Sequence, residues 1–242
     1  MSLKSLTALV TGAGGGIGRE IALSLAKEKV KVILFGANNL ENLSQTEKLI
    51  KDLGGECIAV PGNLTNDEVL KSQFNSVIEK VGGLDILINN AGVAYSNCVE
   101  DTPISVFDKV MSINARVPFI LTQMALPYLK KSKRASVINV SSVVAHNGYP
   151  LQSAYTASKH ALLGFTKSLA NEVYKDGIRV HAVSPGGVYT DMIKIARPDL
   201  DGETMIKPTE IADVVMFLLK NRGNAVIDEI VVHRPTKPPF LV

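Results

Sequence analysis

The sequence predicts a doubly wound α/β fold on a parallel seven-stranded sheet, and three observations predict it. Short β-branched runs alternate with longer amphipathic stretches along the whole chain. The runs stay apolar on both faces, as strands covered above and below must. A glycine-rich turn follows the first run directly and opens the first helical stretch. No composition shift, linker or internal repeat divides the 242 residues, so one domain, 1–242, is expected. A single α/β domain of this size buries about 70–75% of its unfolded surface and needs no disulfide or metal to hold it.

Taken in order, LTALV (6–10) predicts the first strand and Ile17 to Lys29 the first helix. VKVILF (30–35) precedes a polar helix near 40–53, and ECIAV (56–60) precedes another near 66–81. LDILIN (84–89) leads to a long helical region, about 104–131, in which Pro118 marks a kink or turn. ASVINV (135–140) leads through a loop to a helix over 153–175. IRVHAV (178–183) is the sixth strand, and PTEIADVVMFLLKN a helix for which Thr209 is the expected N-cap. AVIDEIVV (225–232) is the last strand, and the Pro-rich tail RPTKPPFLV is expected to lie extended at the edge.

The composition is 46% hydrophobic, 20% charged and 5% aromatic, which is ordinary for a soluble globular chain. The net charge of +3 comes from 26 basic and 23 acidic residues scattered without a basic block, so nucleic acid is not an expected partner. Cys57 and Cys98 fall in no CxxC or Cys/His cluster and read as small, buried or partly buried thiols in a reducing compartment. No apolar run approaches the ~20 residues of a membrane span, and the N-terminus lacks a signal peptide's layout. A cytoplasmic protein, with no membrane partner, is expected.

In TGAGGGIGRE, Gly12, Gly16 and Gly18 are spaced GxxxGxG between strand and helix. A pyrophosphate approaching the N–H groups of a helix N-terminus requires positions without a Cβ, so the turn predicts dinucleotide binding. The end of the second strand, VILFGANNLE, offers neither the carboxylate that holds the ribose of NAD nor a base for the 2′-phosphate of NADP. The missing carboxylate removes a repulsion, and Asn38, Asn39 or Arg19 could donate hydrogen bonds to that phosphate. NADP(H) is therefore favoured over NAD(H).

Tyr155 and Lys159, i and i+4 in SAYTASK, share one helix face. A phenol with a pKa of about 10 serves as an acid–base group near neutrality when a cation stabilises its anion. Alone, such a pair is as ordinary as a packed tyrosine beside a solvated lysine. Ser142 stands where a strand of an α/β sheet presents groups to the ligand crevice, and Asn114 sits in SINAR before that strand. Each also has an ordinary reading, a turn serine and a helix-associated amide.

Together these motifs resemble the short-chain dehydrogenase/reductase family over nearly the whole chain: Gly12, Gly16 and Gly18, NNAG (Asn89–Gly92), Asn114, Ser142, YTASK and PGGVYT (Pro185–Thr190). The resemblance implies an NAD(P)-dependent oxidoreductase acting on a small-molecule carbonyl/alcohol pair, without a metal. It implies that Tyr155 is the general acid or base and that Lys159 lowers its pKa and bonds the nicotinamide ribose. Ser142 would hold the substrate oxygen, and Asn114 a water that relays protons from Lys159. Cofactor contacts are implied for Gly12, Gly16, Ile17 and Gly18 in the turn. Others are implied for Asn38, for Asn63 and Leu64, and for Asn90, Ala91 and Gly92, with Asn90 the foremost adenosine contact of its group. Pro185, Gly186, Val188 and Thr190 would cover the nicotinamide, and a short substrate lid would span about 190–207. A homo-oligomer, dimer or tetramer, packed through helices 104–131 and 153–175, is implied too, with Leu162, Phe165 and Leu169 either in that contact or in the core.

The chain departs from the family at four places, one of them the shortness of the Thr190–Pro208 segment that forms the family's lid. Asn63 replaces the usual Asp, Gly15 replaces a frequent basic residue, and IDEIVVHRPTKPPF replaces a Gly-Gly ending. Substrates left open are a 3-oxoacyl thioester, a small hydroxy acid, a sugar or a steroid-like ketone. His146 and Tyr149 lie before Tyr155, each as a substrate contact or an exposed loop side chain; His160 and His181 read as surface or packing residues. The rival readings are a catalytically silent nucleotide-sensing or scaffolding protein and a sugar-nucleotide epimerase, which would need a longer C-terminal region.

Overall fold

The computed structural model describes residues 2–36, 40–191, 193 and 202–238. Seven strands run parallel in the order β3-β2-β1-β4-β5-β6-β7. They are β1 (Thr7–Thr11), β2 (Lys31–Phe35), β3 (Cys57–Val60), β4 (Ile86–Asn89), β5 (Ser136–Val140), β6 (Arg179–Pro185) and β7 (Glu229–Val232). β1 pairs with β2 on one side and β4 on the other, so the strand order reverses there and opens a crevice at the carboxyl edge.

The helices are α1 (Gly16–Lys27), α2 (Leu40–Asp52), α3 (Asp67–Val81), α4 (Ile104–Met111), α5 (Val117–Leu129), α6 (Ser153–Val173) and α7 (Pro208–Lys220). They cover both faces of the sheet. On one face Ile21 and Leu25 of α1, Leu43 and Ile50 of α2 and Ile211 and Val215 of α7 pack on Val10, Val32 and Val183. On the other, Leu70 and Phe74 of α3, Leu121 and Ala125 of α5 and Leu169 of α6 pack on Leu9, Ile33 and Val137. Each such large side chain contributes about 1.5–3 kcal/mol on burial, which is why the strand runs are apolar on both faces.

Several boundaries differ from expectation, each for a local reason. The 104–131 region is interrupted by a π-turn, Ser112–Arg116, in which the Val117 N–H reaches the Ser112 carbonyl five residues back. Pro118 follows at once; it has no N–H to return to the Asn114 carbonyl, so a regular α-turn cannot close there. Thr209 is not the N-cap of α7: Lys207 is, Pro208 is the first helical residue, and the Glu210 carboxylate accepts the Lys207 N–H at 2.6 Å. α6 stops at Val173 and a 3₁₀ turn, Tyr174–Asp176, ends at Gly177 with φ of 73°. β7 begins at Glu229 rather than 225, because the Arg179 guanidinium binds the Gly223 and Ala225 carbonyls that a longer ladder would use.

The tail is not simply extended, since Lys237 N–H turns back to the Arg234 carbonyl at 3.0 Å; residues 239–242 lie outside the described residues. Cys57 is half-buried as expected, whereas Cys98 is exposed. Leu162 and Leu169 belong to the buried interior, leaving Phe165 at the surface of α6 beside Phe119, ring centroids 5.3 Å apart.

Candidate active site

The glycine turn lies at the β1/β4 crevice and is closed from both sides. Thr11 Oγ1 accepts the backbone N–H groups of Asn90 and Ala91, each at 2.9 Å, and so ties the end of β1 to the chain leaving β4. Gly12 has φ of 65°, and a Cβ on it would come within 2.9 Å of Ala91 Cα. At Gly18 a Cβ would overlap the Gly12 carbonyl and the Asn90 amide. These two positions thus require glycine for packing of strand, turn and helix.

Gly15 differs, since a Cβ there would meet nothing within 4 Å. It precedes α1, whose first turn holds no acidic residue and whose N-cap supplies no side-chain acceptor. The first N–H groups of α1 are therefore left to an external anion, which fits a dinucleotide pyrophosphate. Ile17 is half-buried in that first turn, and Thr190, reaching across from beyond β6, has its Cγ2 3.0 Å from where a Cβ of Gly16 would stand.

The Asn90 side chain is engaged within the protein: its amide donates to the Thr11 carbonyl at 2.9 Å and the Gly12 carbonyl at 3.4 Å. Its donors brace the turn. Asn63 is exposed, and its Oδ1 accepts from the Thr65 N–H and hydroxyl at 3.0 and 2.8 Å, while Leu64 is buried against Gly36. Asn38 lies outside the described residues.

Four groups converge at the ends of β4, β5 and β6. Ser142, in extended backbone after β5, caps a 3₁₀ turn, Val143–Ala145, and its hydroxyl donates to the Pro185 carbonyl at 3.3 Å. Ser142 is the side chain whose hydroxyl acts on the Tyr155 phenol. Burial pushes the phenol above its ordinary value, and the Ser142 hydroxyl draws it partly back. Lys159 Nζ stands over the Tyr155 ring, 5.8 Å from its centroid, and donates to the Val140 carbonyl at 2.9 Å. Lys159 is 4% exposed, and burial lowers its pKa to about 8.

Asn114 is fully buried, and the π-turn presents it. Its amide donates to the Val93 carbonyl and to Ser158 Oγ, both at 2.9 Å, and its Oδ1 accepts the Val93 N–H at 2.8 Å. The Asn114 side chain is thus fully engaged within the protein. Lys159 Nζ and Asn114 Oδ1 meet over Gly92, 3.7 and 3.4 Å from the point where a Cβ would project. α6 is fixed by a buried polar chain: Asn89 donates to Asn139 at 2.8 Å, Asn139 to Thr166 at 2.8 Å, and Thr166 to the Leu162 carbonyl at 2.7 Å.

Pro185 and Val188 are buried and Gly186 half-buried, with Gly186 N–H bonded to the Val232 carbonyl at 2.7 Å. Val188 bridges Ile206, Ile206 N–H reaches the Gly187 carbonyl at 3.2 Å, and Tyr189 N–H returns to the Ile206 carbonyl at 2.8 Å. The two stems of the 190–207 segment are thereby joined; residues 192 and 194–201 lie outside the described residues. Of the loop residues, Tyr149 is exposed, while His146 is neither free nor in the crevice, its Nε2 lying 2.7 Å from Glu229 Oε1. His181 is buried with Nδ1 2.6 Å from the Ile227 carbonyl, and His160 packs on its own helix. Thr11, Ser158 and Glu229 were not singled out from sequence. Thr11, immediately before the first glycine, carried the one readable signal.

This arrangement can hold a substrate oxygen between two hydroxyls, Ser142 and Tyr155, and deliver a proton to it. A model of the short chain dehydrogenase family matches residues 6–201. The chain is 34% identical over 240 residues to the 3-oxoacyl-[acyl-carrier-protein] reductase of Thermotoga maritima, spanning 96% of this chain and 97% of that one. A metagenomic short-chain oxidoreductase solved with NADP superposes with a TM-score of 0.84 at 31% identity, over 96% of this chain and 99% of that one. Carveol dehydrogenase of Mycobacterium avium, solved with NAD, gives 0.86 at 25% identity over 96% of each. These matches support a catalytic protein over a silent, nucleotide-sensing one. On sequence, fold and assembled crevice, the chain belongs to the short-chain dehydrogenase/reductase family and is an NAD(P)-dependent oxidoreductase.

Proposed function

We propose that the chain is an NADPH-dependent reductase of a small carbonyl compound, with a 3-oxoacyl thioester the first substrate to test and, in the reverse direction with NADP+, a small hydroxy acid the second. The observation that carries this reading is the convergence of Ser142 and Tyr155 beside the buried Lys159 at the ends of β5 and β6. In it Tyr155 gives a proton to the carbonyl oxygen, Ser142 holds that oxygen, and Lys159 with Asn114 returns protons from solvent. A bound nicotinamide dinucleotide supplies the hydride. Gly12, Gly16, Ile17 and Gly18 hold its pyrophosphate end. Pro185, Gly186, Val188 and Thr190 cover the other end, and Lys159 bonds the ribose between them. The thioester preference is supported by the likeness to the Thermotoga maritima protein.

The preference for NADPH is supported by Arg19. Its guanidinium lies between the glycine turn and α2, donating to the Gly14 carbonyl at 2.6 Å, the Asn42 carbonyl at 3.3 Å and Thr46 Oγ1 at 3.0 Å. From Gly36 to Leu40 the sequence carries no carboxylate to oppose a 2′-phosphate. Hydrogen bonds to charged groups contribute about 1.5–3 kcal/mol, so NADPH is expected to bind about tenfold or more tighter than NADH. Arg19→Ala is expected to narrow that ratio. Calorimetric titration of both dinucleotides checks it, and equal or tighter NADH binding by the parent contradicts it.

The same reading takes 1–242 as one cytoplasmic domain with 190–207 as lid, and as a dimer or tetramer. Assembly is supported by the apolar surface of α4–α6, where Ile104, Phe107 and Phe119 are exposed. No described helix is long and apolar enough to cross a membrane. Light scattering at micromolar concentration is expected to give two or four subunits; a monomer alone would refute this part.

A further inference from the structure

Beside the crevice, one polar cluster joins β6 and β7 to the loop after β5. Glu229, the first residue of β7, accepts two hydrogen bonds on a single carboxylate oxygen. One comes from His146 Nε2 at 2.7 Å, the other from Ser184 Oγ at 2.5 Å. Because a carboxylate only accepts, the His146 Nε2 must carry its hydrogen. The side chains of His146 and Glu229 are 24% and 21% exposed, sheltered enough for the geometry to be held.

Both donors lead directly to Ser142. His146 closes the 3₁₀ turn that Ser142 opens, with Ala145 N–H on the Ser142 carbonyl at 2.9 Å and His146 N–H on the Val143 carbonyl at 3.1 Å. Ser184 precedes Pro185, whose carbonyl is the acceptor for the Ser142 hydroxyl. Alternation along paired strands puts Glu229, Ser184 and Ala182 on one face of the sheet, and Ala182 packs there with Ala145 and Leu163 of α6. That is the α6 face, from which Tyr155 reaches Ser142.

We propose that Glu229 is a positioning residue, clamping the loop that carries Ser142 to the strand end that carries Pro185. The clamp fixes where the Ser142 hydroxyl stands relative to Tyr155. This rests on the reading of Ser142 as holder of the substrate oxygen. It explains why a carboxylate sits at the start of the last strand.

The test compares Glu229→Ala and Glu229→Gln with the parent, by steady-state kinetics, NADPH titration and amide hydrogen exchange over 143–147. A misplacement of about 1 Å at a reacting centre can cost about 10²-fold. Glu229→Ala is accordingly expected to lose about 10–100-fold in kcat, with NADPH affinity within about twofold. Its 143–147 amides are expected to exchange at least about tenfold faster. Glu229→Gln keeps an acceptor oxygen and is expected to recover both properties to within about threefold. A kcat for Glu229→Ala within twofold of the parent would overturn the proposal. So would a glutamine variant no better than the alanine one, or a parallel loss of NADPH affinity. If the parent itself reduces no carbonyl, the reductase reading fails, and the exchange rates alone decide the clamp.

Discussion

Tyr155→Phe is expected to lower kcat for carbonyl reduction by about 10²–10⁴-fold, the usual contribution of a positioned general acid. The substitution removes one oxygen and leaves the ring, α6 and Lys159 in place, so the effect isolates proton delivery. The oxygen removed is the one on which the Ser142 hydroxyl acts, and burial keeps it protonated through neutral pH. Dinucleotide affinity is expected to change by no more than a few fold, because the turn at Gly12–Gly18 is distant in the fold from that hydroxyl. Single-turnover measurement with NADPH separates chemistry from release. A variant whose single-turnover rate lies within tenfold of the parent would remove Tyr155 from the acid role.

For Lys159 the expected effects on activity and stability have opposite signs. Its ordinary pKa is 10.5 and its folded value is about 8, because burial disfavours the ammonium. Between those values the unfolded chain holds more protons than the folded one, so stability rises with pH from about 8 to 10.5. Below pH 8 the buried charge costs the folded protein about 3 kcal/mol. Lys159→Met removes that cost, but it also leaves the Val140 carbonyl without its donor, a loss of about 1–2 kcal/mol. The net expectation for protein without dinucleotide at pH 7 is a Tm higher by about 2–8 °C, together with a kcat at least about 10²-fold lower. The rise in stability above pH 8 is expected to flatten in the variant. Thermal melts at pH 7 and pH 10 check the sign, and a lower Tm at pH 7 would contradict it.

The fold and the chemical core of the crevice were legible because they are written locally. Glycines at fixed offsets after a strand, a tyrosine and lysine one helical turn apart, and a serine at a strand end need only element boundaries to be placed. What escaped depends on pairs distant in sequence. His146 and Glu229 are 83 positions apart and meet only once β6 and β7 are in register. Asn90 read as a ligand contact because nothing local reveals that its amide is taken by Thr11 and Gly12. Thr209 looked like a cap because its hydroxyl suits one, but Pro208 fits the first helical position and moves the cap back to Lys207. Helix spacing puts Lys159 beside Tyr155, but nothing local reveals that its ammonium also donates to the Val140 carbonyl.

The bridge between Val188 and Ile206 joins the two stems of the chain between them. Lengthening a connection between joined stems costs little, about 0.6 kcal/mol for each doubling. Segments of other lengths and compositions can thus be grafted between the same two stems while the proton-transfer apparatus stays where it is. In this chain the connection between those stems can therefore be redesigned without rebuilding the groups that move the proton.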